Sequence, residues 1–415
     1  MVHALDAYLN EDLGGRLRED EGKLSFAYDK AWLDSEKFIP LSVTMPRQGE
    51  EFPDEITRPF FENLLPEGEI RAAIARLKQL SERNTFGLLG EIGGDCAGAI
   101  SLWPEGAKRR TAGGYSPISN ERLGELLARM RKRPLLVVED ELRLSLAGAQ
   151  NKLPVYCDGT QLFLPRGGAP SSHILKPGVT GYDHMPINEN FCMKVAAACG
   201  LPIPNSDVLL EPTPVYLVQR YDRVRTENGD LTRVHQIDFC QALNLPSHEK
   251  YEHEGGPNLA ACFQVLGQYS AQPAKDRLNL ISWTIFNFLI GNADAHAKNL
   301  SLLITHGGIA LAPFYDLVST VVYPDLTGKL ALGIGGENRP EWIQKRHWDD
   351  FAKISGANPR IVWRQLAELA ERVPVEAGRI AKEAPFADQK VALKIHKVVT
   401  DRSAKIRKMI GARNR

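Results

Sequence analysis

The sequence predicts an α+β chain of at least two lobes: an N-terminal α/β module, a mixed sheet and a helical half, with a cleft between lobes. Three observations predict it. Short runs of alternating apolar and polar residues, punctuated by Asn10, Gly14, Gly15 and Gly22, fill the first 50 positions, as in a small antiparallel sheet. Strand-like pieces recur from about 135 to 220, and from about Gln236 the apolar residues settle into helical spacing. At 415 residues the chain exceeds what one hydrophobic core organises, and clefts between lobes are where ligands bind.

Taken in order, Pro66 precedes a predicted helix over 67–80, whose Ile70, Ile74 and Leu77 share one face. Residues 104–120, rich in Gly, Pro and charge, read as an exposed connection at a domain boundary. A helix over 121–132 follows, then strands at 135–140, 152–157, 161–165 and 172–178, a helix over 188–199, and strands at 206–210 and 215–220. Between 274 and 290, Leu278, Ile281, Ile285, Phe288 and Leu289 recur three and four residues apart, which predicts a buried helix. One hairpin interrupts the helical half, with strands at 300–304 and 309–311 around His306, Gly307 and Gly308.

Lys plus Arg and Asp plus Glu both total 51, so global charge predicts no polyanion partner. A local exception is the tail from Lys394 to Arg415, where Lys397, Arg402, Lys405, Arg407, Lys408 and Arg413 face a lone acid, Asp401; a solvated terminal helix explains it better than phosphate contact. Cys96, Cys157, Cys192, Cys199, Cys240 and Cys262 are scattered without a C-x-x-C pair and read as reduced core thiols. The first residues lack the basic start and apolar run of a signal peptide, and Ser282, Thr284 and Asn287 interrupt the longest apolar segment. The expectation is a cytoplasmic protein that does not span a membrane.

The chemistry concentrates in GNADAHAKNLSLLITHGGIALAPFYDLVS, from Gly291 to Ser319. Phosphoryl transfer requires a carboxylate to accept the attacking hydroxyl's proton and oxygen ligands to hold magnesium against the phosphates. Asp294 fits the base, and Asn299 and Asp316 fit the metal; four residues separate Asp294 from Asn299, as they separate the corresponding pair in protein kinases. Alone, each is an ordinary turn or cap residue; spacing and the buried helix before them make the case. His296 stands two residues after the base, where many kinases have a lysine that meets the transferred phosphoryl, and a satisfied structural histidine is the equal alternative.

GNADAHAKN with FYDL resembles the catalytic and metal-binding segments of the HipA kinases, and NLLPEGE (63–69), FGLLGEIGGDCAGAI (86–100), LSLAGAQNKLPV (144–155), SHILKPG (172–178), NENFCMKVAAACGL (188–201), VQRYDR (218–223), HQIDFCQALNLPSHEKYE (235–252) and GGP (255–257) continue the likeness in order across nearly the whole chain. G-x-G-x-x-G, H-R-D and D-F-G are missing, so the likeness is to the HipA branch and not to eukaryotic-type kinases. The resemblance implies a protein-kinase-like bilobal α+β fold with a HipA N-terminal subdomain (1–105), a linker and helix (106–134), a mixed-sheet N-lobe (135–221) and an all-helical C-lobe (222–415).

It also implies roles. The segment Ser145–Lys152 covers the nucleotide phosphates, with Ala147, Gly148, Ala149, Gln150, Asn151 and Lys152 in the loop, and Ser145 is an autophosphorylation site that silences the enzyme, with Arg143 near the phosphate. Lys176 is the ATP-phosphate lysine; Glu189 is a candidate partner, though the helix dipole explains an early-helix Glu equally. Gln219 to Tyr221 corresponds to the adenine-binding hinge, and Tyr315 lines the nucleotide site. ATP and Mg2+ are the implied cofactors. A HipB-like helix-turn-helix antitoxin is the implied partner, with operator DNA reached mainly through it, the basic C-terminal residues being the chain's own candidate contact. An aminoacyl-tRNA synthetase such as glutamyl-tRNA synthetase is the implied substrate, its modification inhibiting translation. The rival readings are a small-molecule phosphotransferase on the same fold and a non-enzymatic corepressor bracing the antitoxin on DNA.

Overall fold

The computed structural model describes residues 3–107, 113–132, 144–145, 147–148 and 150–411, with backbone alone for 131–132 and 144–145. The expected strand at 135–140, and also Arg143, Ala149, Arg413 and Arg415, lie outside the described residues. The chain opens with a meander of His3–Leu9, Asp12–Asp20 and Lys23–Tyr28, to which Ile100–Pro104 adds a fourth antiparallel strand beside the first. Alternation in the last meander strand buries Leu24, Phe26 and Tyr28, and Phe26 meets Phe61 of the helix Asp54–Glu62 at 5.6 Å between rings.

The next helix is shorter than its period suggests, running Gly68–Leu77. Gly68 takes a left-handed φ of 54° and Glu67 is extended, outside the helix. Only glycine adopts that φ at no steric cost, so the sequence turns the Glu67 side chain away from the helix. The single apolar face is also incomplete: Ile74 is buried, whereas Leu77 is exposed.

A six-stranded sheet follows in the order Ser206–Leu209, Val215–Gln219, His173–Pro177, Leu153–Cys157, Leu162–Arg166, Gly114–Pro117. Every pairing in it is antiparallel, not mixed. The helix Met185–Ala198 carries the chain to the sheet edge, but Val215–Gln219 then inserts between the two strands that this crossover joins, so they never pair. The stretch read as an exposed connection ends in the edge strand Gly114–Pro117. Leu123, Leu126, Leu127 and Met130 of the helix Asn120–Lys132 cover one face of the sheet, packing on Leu153, Val155, Leu164, Leu175 and Val215. Phe191, Cys192 and Val195 share the main core with Tyr216 and Val218.

The helical half is built on Leu259–Tyr269, the buried Pro273–Ile290, Lys345–Ile354, Pro359–Ile380 and Lys390–Gly411. It is not all helical. His235–Asp238, where helical character was expected to begin, is a strand pairing with Ser301–Thr305, which pairs in turn with Gly308–Leu311. Four alternating residues are too few to show a period, and the helix signal belongs to the capping box of Asp238 and Gln241 that starts Phe239–Ala242. Arg223–Arg225 and Leu231–Arg233 form a further ribbon, and between 312 and 344 the one helical piece is a 3-10 turn, Thr320–Val322.

The basic C-terminal helix is tied down from within. Arg402 donates to the Phe288 carbonyl, Lys405 to those of Pro340 and Glu341, Arg407 to that of Ala370, and Lys397 pairs with Asp401. All six cysteines are free thiols, five of them buried. Among the described residues no helix is long and apolar enough to cross a membrane.

Candidate active site

The buried helix Pro273–Ile290 stops at Gly291, whose φ of 75° is left-handed and whose absent Cβ would lie 2.3 Å from a Val321 methyl. The polar loop therefore leaves the helix against a fixed wall. Asn292 organises that loop: its Oδ1 accepts from the Asp294 N–H at 3.0 Å, and its Nδ2 donates to Asn287 Oδ1 at 2.8 Å and to the Asp316 carbonyl at 3.3 Å. One buried amide thus fixes the backbone beside both acids. Asp294 projects an exposed carboxylate, one oxygen of which accepts from Tyr251 Oη at 2.6 Å. Asn299, buried, donates from Nδ2 to the Asp294 carbonyl at 3.2 Å, closing the loop on itself.

His296 is buried and its Nδ1 has no partner. Burial lowers its pKa to about 4, although the Asp294 charge works in the other direction. The ring is neutral at physiological pH.

Asp316 arrives on the far side with a φ of 54°, a left-handed conformation unfavourable for a side chain. Its carboxylate meets Lys176 Nζ, which also donates to Glu189 Oε1 at 2.7 Å. The expected Lys176–Glu189 pair therefore forms. Since the helix begins at Met185, Glu189 lies past its first turn, and the lysine accounts for it better than the helix dipole does. Burial disfavours the Lys176 charge, but Asp316 and Glu189 outweigh burial and raise its pKa. Asp316 is only partly buried, and although desolvation opposes its charge, Lys176 and Lys152 hold it down at about 2, whereas burial dominates at Glu189 and raises it to about 7.

A second ammonium faces the same place. Burial and the repulsion of Lys176 lower Lys152 to about 8, and its Nζ donates to the Ala147 carbonyl. Gly148 has a φ of 104°, and a Cβ there would stand 2.8 Å from Lys152 Nζ, so this turn requires glycine. Gln150 Nε2 donates to the Pro177 carbonyl at 3.1 Å and Asn151 Nδ2 to that of Met130 at 2.7 Å. The backbone of Ser145 pairs with Cys96 in a short parallel bridge.

At the expected hinge, the Gln219 and Arg220 N–H groups are already bonded, to the carbonyls of Asn205 and Ser172 at 2.9 Å each. Tyr221 stacks on Tyr315 at 5.5 Å and donates to Gln236 Oε1. Tyr315 Oη donates to the Lys298 carbonyl at 2.7 Å. The two aromatic rings thus join the hinge to the polar loop.

Sequence reading assigned no role to the charges beneath that loop. Lys298, buried, pairs with Asp238 at 3.0 Å and lies 3.6 Å from Glu67, which pairs with Lys250 at 2.7 Å. Burial works against the Glu67 charge, and Lys298 and Lys250 reverse it, so the pKa falls. The Glu67 N–H also donates to the Gly148 carbonyl at 3.2 Å. The available signal was Gly68, whose freedom to turn left-handed releases Glu67 from the helix.

The residues fit a nucleotide polyphosphate with a hard divalent cation. Burial and Lys176 disfavour the Lys152 charge, which an arriving anion would relieve, the His296 Nδ1 is unpartnered, and the oxygens of Asn299 and Asp316 are the ligand type magnesium takes.

Residues 144–377 match the family model described as HipA-like C-terminal domain, and residues 5–103 match that of the HipA N-terminal domain. A Sinorhizobium fredii protein named "Putative kinase Y4mE" is 40% identical over 92% of this chain and 93% of its own length. The serine/threonine-protein kinase toxin HipA of Shewanella oneidensis is 31% identical over 98% of this chain and 96% of its own. The solved complex of Shewanella oneidensis MR-1 HipA with HipB and operator DNA matches with a TM-score of 0.84 at 29% identity, covering 98% of this chain and 97% of that one.

Proposed function

The chain belongs to the HipA family of protein kinases, and from that premise we propose that it is an ATP- and magnesium-dependent serine/threonine kinase toxin. Asp294 accepts the proton of the acceptor hydroxyl. Asn299 and Asp316 hold magnesium, and Lys176, kept in place by Glu189, binds the phosphates under the loop from Ser145 to Lys152. Bound ATP supplies the activated phosphoryl group. His296, neutral and with Nδ1 unpaired, donates a hydrogen bond toward that group. Tyr221 and Tyr315 wall the base-binding end beside Gln219.

The observation that carries this reading is the Lys176 ammonium shared between Glu189 and Asp316. A strand lysine, a helix glutamate and the second acid of the loop system meet at one atom, and a lysine–glutamate pair beside a metal-binding aspartate is the arrangement an active kinase needs.

The acceptor we propose is a protein, of the aminoacyl-tRNA synthetase class, whose modification slows translation in the cytoplasm. A HipB-type antitoxin neutralises the chain and brings it to operator DNA, as the relative's complex with HipB and DNA supports. The basic C-terminal helix is a minor candidate for that DNA, since Arg402, Lys405 and Arg407 are engaged with carbonyls. The division at 105, 134 and 221 stands as part of the same proposal. Ser145 is the proposed site of self-inactivation, because a group of nearly two negative charges is incompatible with neighbouring ATP phosphates. Incubation with γ-labelled ATP and magnesium, followed by mapping of the label, tests the reading. Label is expected on Ser145, and Asp294→Asn is expected to lower transfer on the order of 10³-fold; equal labelling of that variant overturns the assignment of the base.

A further inference from the structure

Asp294 is exposed, and an exposed carboxylate on a loop has rotational freedom that a general base cannot use. What restrains it is Tyr251, whose hydroxyl donates to Asp294 Oδ1 at 2.6 Å. The family likeness assigns that tyrosine nothing.

Tyr251 is itself held on every side. Its carbonyl accepts from the N–H groups of Glu254 at 3.0 Å and Gly256 at 2.9 Å. The preceding residue is clamped to the polar loop, with the Ala297 N–H donating to the Lys250 carbonyl at 3.3 Å and Lys250 Nζ bonded to Glu67 at 2.7 Å. The following residue is clamped to the segment beyond: the Glu252 N–H donates to Ala331 at 3.2 Å, and Glu252 Oε2 accepts from the Gly333 N–H at 2.6 Å. The ring stands edge-on to His296 at 5.1 Å, with Lys250 Nζ 5.3 Å from its centre. A hydroxyl so anchored is a fixed post. A displaceable cap on the base needs a segment free to swing, and this one is bonded to three others.

We propose that Tyr251 is the positioning residue of Asp294: it commits Oδ1, fixes the carboxylate rotamer, and leaves Oδ2 to take the acceptor's proton. In the transfer, the acceptor oxygen bonds to the γ-phosphorus of ATP, the bond from that phosphorus to the bridging oxygen of departing ADP breaks, and the acceptor proton ends on Asp294 Oδ2. Tyr251 keeps its own proton throughout. This inference rests on the assignment of Asp294 as base.

The test measures ADP formation, which counts every transfer whatever the acceptor, in the full chain with magnesium. Tyr251→Phe removes one oxygen and keeps the ring against His296. A hydrogen bond to a charged group corresponds to about a tenfold change, so kcat is expected to fall about tenfold with KM for ATP and melting temperature unchanged. In the Asp294→Asn background the same substitution is expected to change nothing further, because its only route of action has been removed. Unchanged kcat in Tyr251→Phe, with Asp294→Asn inactive, overturns the positioning role alone. A raised kcat, or a lowered KM for a protein acceptor such as casein, shows a gate instead and overturns it too. Equal losses in both backgrounds, or a lost ATP affinity, show a structural role and do the same. Full activity of Asp294→Asn removes the premise, and a wild-type chain forming no ADP sinks both.

Discussion

Two clusters of buried charge differ in a way that separates scaffold from site. At the junction between the N-terminal sheet and the six-stranded sheet, Asp222 accepts from Arg220 at 2.9 and 2.8 Å and from the Gly98 N–H at 2.8 Å. Asp95 accepts from Arg223 and Arg233 at 3.2 Å each. Burial disfavours both carboxylates, yet the arginines hold both pKa values below the usual range. At the candidate site the cations are lysines, and burial wins at two groups, lifting Glu189 to about 7 and lowering Lys152 to about 8. A guanidinium cannot give up its proton and binds carboxylates in a rigid fork, whereas a buried ammonium or lightly compensated carboxylate responds to any charge that arrives. The junction's carboxylates are committed to arginines, whereas the charges of the candidate site shift readily with their surroundings.

Breaking the junction tests the first half of that contrast and has the largest expected effect. Asp222→Ala leaves Arg220 and Arg223 to share Asp95 with Arg233, and breaking a buried ion pair by removing one partner costs about 3–5 kcal/mol. A urea melt should show that loss, with ATP affinity per folded molecule retained. Loss of ATP binding at unchanged stability would mean that the junction belongs to the site.

The junction also carries a pH dependence of its own. His235, buried beside Gly98, bonds through Nε2 to the Leu41 carbonyl at 2.8 Å; burial lowers its pKa from the usual 6.5 to about 4, against the opposing effect of that carbonyl. A depressed histidine contributes stability that is complete above about 6.5 and is lost as pH falls through about 4, up to about 3 kcal/mol. The unfolding free energy should therefore drop between pH 7 and pH 4.5, and His235→Asn should flatten that drop. An equally steep drop in the variant assigns it elsewhere.

The smallest effect sharpens the cleft half. Burial already pushes Glu189 toward its neutral form, so Glu189→Gln should cost under about 1 kcal/mol of stability. It should still slow turnover about tenfold by weakening one of the two carboxyl contacts that hold Lys176. A large loss of stability with turnover preserved would make Glu189 a scaffold residue like Asp222.

The two clusters were also unequally legible. Lys176 stood out because a lysine among apolar strand residues needs an anion, and Asp294, Asn299 and Asp316 because their spacing belongs to one local loop. The arginines of VQRYDR carried no comparable signal, since alternating arginine and aspartate read as solvated side chains until Asp95, over a hundred positions away, is seen to meet them. Asn292, Tyr251, Glu67 and Lys250 were illegible for the same reason: Glu67 and Lys250 are 183 positions apart, and Asn63 and Lys298 are 235 apart.

The sequence by itself determined what short-range chemistry determines: the order of elements, the break at Gly291 and the loop's residue types, because period, caps and turn residues act within a few positions. Only the tertiary structure decided that the sheet is antiparallel throughout, that His235–Asp238 is a strand, and which distant charges become neighbours. Those outcomes are fixed when elements pack and exclude water. At that point a buried charge must take whatever partner the packing brings, and no local pattern records which one that is.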